Sequence, residues 1–90
     1  MRVENMTSSR GNTVANQFNV WIPNGRAFQS YSSVIATIEF IDGKRVTTLD
    51  RDKWNYSKTT AKYRNQFLGE TTKETEAKIK SGEYKLADLN

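Results

Sequence analysis

The sequence predicts an α+β fold: a small antiparallel sheet of about four strands followed by two C-terminal helices. Three observations lead there. Apolar residues alternate with period two within residues 17–49, Asn-Gly and Asp-Gly pairs interrupt that alternation, and after Ser57 the period lengthens to three or four residues. At 90 residues with 36% apolar positions, the chain has the size of one small domain.

Residues 1–16 contain Thr7-Ser8-Ser9-Arg10-Gly11-Asn12, small polar residues that compete with regular backbone pairing, so this stretch reads as loop-rich, anchored by Val3 and Met6. From Gln17, the apolar residues Phe18, Val20 and Ile22 alternate with Asn19 and Trp21, the pattern of a half-buried strand. Asn24-Gly25 then offers the positive φ angles of a tight hairpin, returning Arg26–Tyr31 antiparallel. A third strand follows, with Val34, Ala36, Ile38 and Phe40 on one face and Ile35, Thr37, Glu39 and Ile41 on the other. Asp42-Gly43 repeats the turn signal before a β-branched strand over residues 45–49, which completes a meander over 17–49.

Two helices occupy residues 57–82. Ser57 is placed to cap the first, whose Thr60, Tyr63 and Phe67 form one stripe before Gly69 stops it. Thr71 and Glu74 have capping-box spacing, Glu74–Lys78 and Glu76–Lys80 are favourable four-residue pairs, and Gly82 ends the second helix. In the tail, residues 83–90, Tyr84, Leu86 and Leu89 are the anchors.

The 14 basic and 10 acidic residues leave a net charge of +4, and the surplus is local. Residues 43–68 carry Lys44, Arg45, Arg51, Lys53, Lys58, Lys62 and Arg64 against only Asp50 and Asp52. One continuous basic patch there would hold phosphates, with Trp21 or Tyr56 stacking on unpaired bases. The same cations also fit an ordinary solvated face, and Trp54, Tyr56, Tyr63 and Phe67 fit core positions better than stacking ones, Tyr63 and Phe67 most of all. A second surface, around Trp21, Gln29 and Tyr31, would suit a protein partner, and a free strand edge would suit a second copy.

Catalysis has little to rest on. The absence of Cys and His removes thiol nucleophiles, His-dependent triads and the commonest metal ligands. Asp50-Arg51-Asp52 lacks a third ligand, Ser57-Lys58-Thr59-Thr60 lacks the glycine lead-in of a P-loop, and Glu39 reads as an outward strand residue. No cofactor or metal is implied. The polar start is unlike a secretory signal and no membrane span is visible, so a cytoplasmic location is expected.

The segments Asn16-Gln17-Phe18, Phe28-Gln29-Ser30-Tyr31, Tyr56-Ser57-Lys58-Thr59-Thr60, Lys62-Tyr63-Arg64-Asn65-Gln66-Phe67-Leu68-Gly69-Glu70 and Lys80-Ser81-Gly82-Glu83-Tyr84 resemble a family of short, uncharacterised proteins encoded by bacteriophages and related mobile elements. The likeness spans nearly the whole chain and brings no catalytic or binding residue with it. It implies a protein that binds and occludes a host or viral component, bacterial defence machinery included. Residues and resemblance together lead to one expectation: a non-enzymatic binding protein engaging DNA or RNA through the basic residues, or alternatively a protein-directed inhibitor.

Overall fold

The computed structural model describes residues 2–90. It is an α+β fold whose sheet has six strands: β1 (Arg2–Thr7), β2 (Thr13–Ile22), β3 (Gly25–Ser30), β4 (Ser33–Ile41), β5 (Lys44–Asp50) and β6 (Lys85–Ala87). Helices α1 (Lys58–Leu68) and α2 (Thr72–Ser81) lie between β5 and β6 in sequence. The strands are ordered β1-β2-β3-β4-β5-β6, all neighbours antiparallel except the parallel pair β5–β6.

The first two strands correct the expectation of an N-terminal loop. Residues Arg2–Thr7 pair with β2, from Arg2 opposite Trp21 to Thr7 opposite Thr13, and β2 begins four residues before Gln17, after a turn closed by Ser8 and Asn12. Polar edge residues hide such a strand from a pattern search. Arg2, Val3, Glu4 and Asn5 are all exposed, and only Met6 enters the core. The tail likewise gains the short strand β6, which no alternation announces in three residues.

Both predicted hairpins form. Asp42 and Gly43 take φ angles of 52° and 76° between the paired residues Ile41 and Lys44. The β2–β3 loop is instead Pro23-Asn24, because Ile22 already pairs with Gly25. Gly25 has no positive φ; its role is close approach, since a Cβ there would collide with the Ile38 carbonyl oxygen and stand 2.9 Å from the Glu39 Cα. A register shift in the β3–β4 pair breaks the expected alternation of β4: Val34 opposes Gln29, while Ala36 opposes Phe28.

Residues opposite one another in antiparallel strands share a face. Phe28, Ala36, Ile38 and Leu49 therefore lie on the face that carries the helices, in one core cluster with Met6, Ile35, Tyr63, Phe67, Leu68 and Tyr84. Phe67 stacks on Phe28 at 5.9 Å between ring centroids, and a buried hydroxyl pair, Ser30 and Thr60 at 2.9 Å, fixes the start of α1 over the end of β3. Val20 and Ala27 are buried as well, yet they stand outside that cluster, on the opposite face. The caps follow the sequence: Ser57 accepts from the Thr60 N–H, Thr71 and Glu74 form a capping box, and Gly69 and Gly82 close the helices in the left-handed region. Of the two predicted pairs on α2, Glu76–Lys80 forms at 3.4 Å, whereas Lys78 turns to Glu70 at 2.8 Å and leaves Glu74 to the cap.

Candidate nucleic-acid interface

The seven cations of residues 43–68 do not form one patch. Arg64 is completely buried, at 0% exposure. Its guanidinium donates to the Trp54 carbonyl, Asn55 Oδ1 (3.1 Å), Asn65 Oδ1 (2.9 Å) and Thr72 Oγ1 (2.7 Å), and it packs 5.1 Å from the Trp54 ring centroid. Burial pulls its pKa down and the field of Glu70 offsets part of that. Arg64 thus clasps the β5–α1 junction to α2 and is removed from any contact surface. A five-donor fork explains the choice of arginine at this place.

The other six are divided between the two ends of the sheet and α1. Lys44 and Arg45 are neighbours on β5 and so point to opposite faces. Arg51 and Lys53 follow the other end of that strand, about 20 Å away at ordinary strand rise, and the Lys53 Nζ donates to Ser33 Oγ at 2.9 Å. Lys58 and Lys62 are exposed on α1 along the stripe of Gln66, whose amide reaches the Thr7 carbonyl by the β1–β2 turn. Nor do the proposed partner contacts share a surface. Trp21 lies on the helix-bearing face, Gln29 on the opposite one, and Tyr31 in the β3–β4 turn, where it accepts from the Gln29 amide at 2.8 Å. Tyr56 is half exposed in the β5–α1 junction, away from Trp21.

A different cluster emerges from the strand register. Arg2, Trp21, Arg26, Ile38 and Thr47 stand opposite one another in a row across β1 to β5, and one pleat further Phe40 opposes Arg45. All lie on the helix-bearing face, at the end of the sheet where α1 stops. The Arg2 guanidinium carbon sits 4.2 Å from the Trp21 ring centroid and that of Arg26 sits 5.1 Å from Phe67, while Phe40 is 58% exposed. Gly25, Arg26, Ile38, Phe40 and Arg45 line a cleft of about 170 Å³. Of the three ion pairs among the described residues, none involves Arg26 or Arg45. In an ideal sheet their Cα atoms are two strand spacings and one two-residue rise apart, about 12 Å, so both side chains can reach one ligand between them.

Arg45 also borders a larger cleft, about 340 Å³, with Glu70, Glu74, Lys78, Glu83 and Tyr84 among its walls. Its acidic lining disfavours a polyanion. Burial opposes the charge of Glu70, but hydrogen bonds from Lys78, Thr75 and Tyr84 outweigh burial and hold its carboxyl below the usual range. Burial first, then the bond to Glu70, pushes the Tyr84 phenol up, and the same carboxylate holds the Lys78 ammonium up. This is a satisfied structural network. Asp50, read from the sequence as turn chemistry, is a second one: it is 2% exposed and accepts from the backbone of Asp52, Lys53 and Leu89 and from the Asn90 amide. Those bonds overcome the burial that opposes its charge and set its carboxyl below the ordinary value. Among the described residues no group of three or more Asp or Glu side chains could hold a metal, and no helix is long and apolar enough to cross a membrane.

The sequence points to Trp21 and Arg45 and misses Arg2, Arg26 and Phe40. The signal was present in the turns, because a two-residue Asp42-Gly43 loop obliges Phe40 to oppose Arg45. The model of a family of unknown function, DUF8033, matches residues 1–83, and the chain belongs to that family. No curated protein and no solved structure matches it.

Proposed function

We propose that this chain is a non-enzymatic nucleic-acid-binding module whose contact surface is the Arg2–Trp21–Arg26 row together with Phe40 and Arg45. One observation carries the reading: two arginines without carboxylate partners flank an exposed phenylalanine over one cleft. Guanidinium groups hold phosphates while an aromatic face stacks on a base, the combination that single-stranded DNA or RNA offers and a duplex hides. The seven-residue basic belt is replaced by this surface; Lys58 and Lys62 remain as a flanking electrostatic contribution. Origin in a bacteriophage or mobile element and a cytoplasmic site of action belong to the same proposal and rest on the resemblance.

Fluorescence anisotropy with a labelled single-stranded oligonucleotide tests it. Binding should weaken with salt, and the slope should fall by roughly 0.7 for each of Arg26→Ala and Arg45→Ala. Phe40→Ala should cost about 1–3 kcal/mol while leaving that slope unchanged. Salt-insensitive binding, or binding indifferent to both arginines, refutes the reading.

The protein-directed alternative has an observation of its own. No helix among the described residues covers the sheet face bearing Val3, Phe18 and Ile22, where Val3 is exposed and Phe18 and Ile22 are half-buried, and apolar groups left open on a sheet face suit another protein. Capture of a host protein that survives nuclease treatment and is lost in Val3→Asp would favour it.

A further inference from the structure

We infer that β1 is a self-complementary edge and that two copies of this chain pair through it, antiparallel, in a single register centred on Val3. The inference does not depend on nucleic-acid binding. It begins from the asymmetry of the two sheet edges: β6 offers three residues, whereas β1 offers six, and Arg2, Val3, Glu4 and Asn5 are all exposed. Unpaired strand edges carry free N–H and C=O groups that accept another strand. Charged side chains ordinarily repel such a strand; here their order does the reverse for one arrangement.

Parity selects the register. Two identical edges related by a two-fold axis perpendicular to the sheet must keep like faces together, so an even residue opposes an even one and an odd residue opposes an odd one. Within the charged stretch three registers satisfy this. Centring on Arg2 sets Arg2 against the partner's Arg2, and centring on Glu4 sets Glu4 against the partner's Glu4; both oppose like charges. Centring on Val3 sets Arg2 against the partner's Glu4 twice, around the pair formed by Val3 and the partner's Val3. The side chains of Arg2 and Glu4 lie 3.0 Å apart on their own strand and are 64% and 53% exposed, so turning across the seam exchanges that intrachain pair, and the Arg2 contact with Trp21, for two interchain pairs. Val3, 54% exposed, already stands in register with Val20 and Ala27. The pairing therefore joins two apolar rows into one on the uncovered face. A register shift between Asn5 and Thr7 limits the paired stretch and keeps the ladder from extending along the strand.

Sedimentation velocity on the full chain, without nucleic acid and at low ionic strength, tests the proposal with Arg2→Glu, Glu4→Arg and their equimolar mixture. Wild type should show a concentration-dependent monomer–dimer equilibrium. Each variant alone opposes like charges twice and should raise the dissociation constant by at least about tenfold. The mixture restores both opposite-charge pairs between unlike chains and should dimerise again, a recovery that loss of the intrachain Arg2–Glu4 contact cannot produce. Circular dichroism confirms that each exposed-site variant is folded. Wild type that stays monomeric at millimolar concentration, single variants that dimerise like wild type, or a mixture no better than its components would each overturn the inference.

Discussion

Replacing Arg64 separates a structural arginine from a contact arginine. In Arg64→Ala the Trp54 carbonyl and Asn65 Oδ1, both in half-buried residues, lose a charged donor, whereas exposed Asn55 can turn to water and Thr72 Oγ1 keeps the Asn65 amide as a donor. A hydrogen bond to a charged group contributes roughly 1.5–3 kcal/mol, so two unreplaced bonds amount to about 3–6 kcal/mol. Relief of the guanidinium's own desolvation, the cause of its lowered pKa, returns part of this. A net loss of about 3 kcal/mol follows, or roughly 12–24 °C in Tm for a domain of this size. Arg64→Lys keeps the charge but loses the fork and should fall between the two. Urea titration followed by Trp fluorescence reads the change directly. Arg26→Ala and Arg45→Ala, being less enclosed, should remain within about 0.5 kcal/mol of wild type. If Arg64→Ala costs less than about 1 kcal/mol, the clasp is wrong and the residue returns to the candidates for ligand contact.

Two further outcomes test the frame that holds the site. Asp50 has a folded pKa below its unfolded value near 3.9, so its stabilisation is complete above the unfolded value and lost as pH falls through the folded one; Asp50→Asn should therefore cost about 2 kcal/mol at neutral pH, with the gap to wild type closing below about pH 4 in acid unfolding curves. Gly25→Ala forces a Cβ against the Ile38 carbonyl. Thermal denaturation should show a loss of about 1–3 kcal/mol, with oligonucleotide affinity reduced because the floor of the cleft moves.

What the sequence makes legible follows from the range of each signal. Local signals transfer well: Ser57, Gly69, Thr71, Glu74 and Gly82 bound the helices where the pattern puts them, because capping depends on atoms within a turn. Register is different. Placing the β2–β3 turn at Asn24-Gly25 sets Trp21 opposite Phe28; the structure sets it opposite Arg26, and that two-residue change turns a core neighbour into a cationic one. Edge strands are harder still, since β1 owes its place to backbone pairing with β2 and carries no apolar alternation. Charge density along the chain misled for a related reason. Lys44 and Arg45 are adjacent in sequence and on opposite faces, and Arg64, the last cation of the most basic segment, is in the interior.

The site itself comes from a mismatch of lengths. Helix α1 has 11 residues and spans about 16 Å, whereas β2, with 10 residues, runs about 33 Å. A helix laid along such a sheet covers only half of its face. The Ser30–Thr60 hydroxyl pair pins the start of α1 at the β3–β4 turn, and Gly69 ends the helix just past Phe67, over Phe28 and Arg26. Whatever the strands carry beyond that point on the same face must stay open. In this chain they carry Phe40 and Arg45, with Arg2, Trp21 and Arg26 in the adjoining row. Their exposure is thus a consequence of where one glycine stops one helix, and it leaves aromatic and guanidinium groups on a rigid backbone rather than on a loop. A surface fixed in that way loses little conformational entropy when it meets a ligand, which favours preformed contacts over folding on binding.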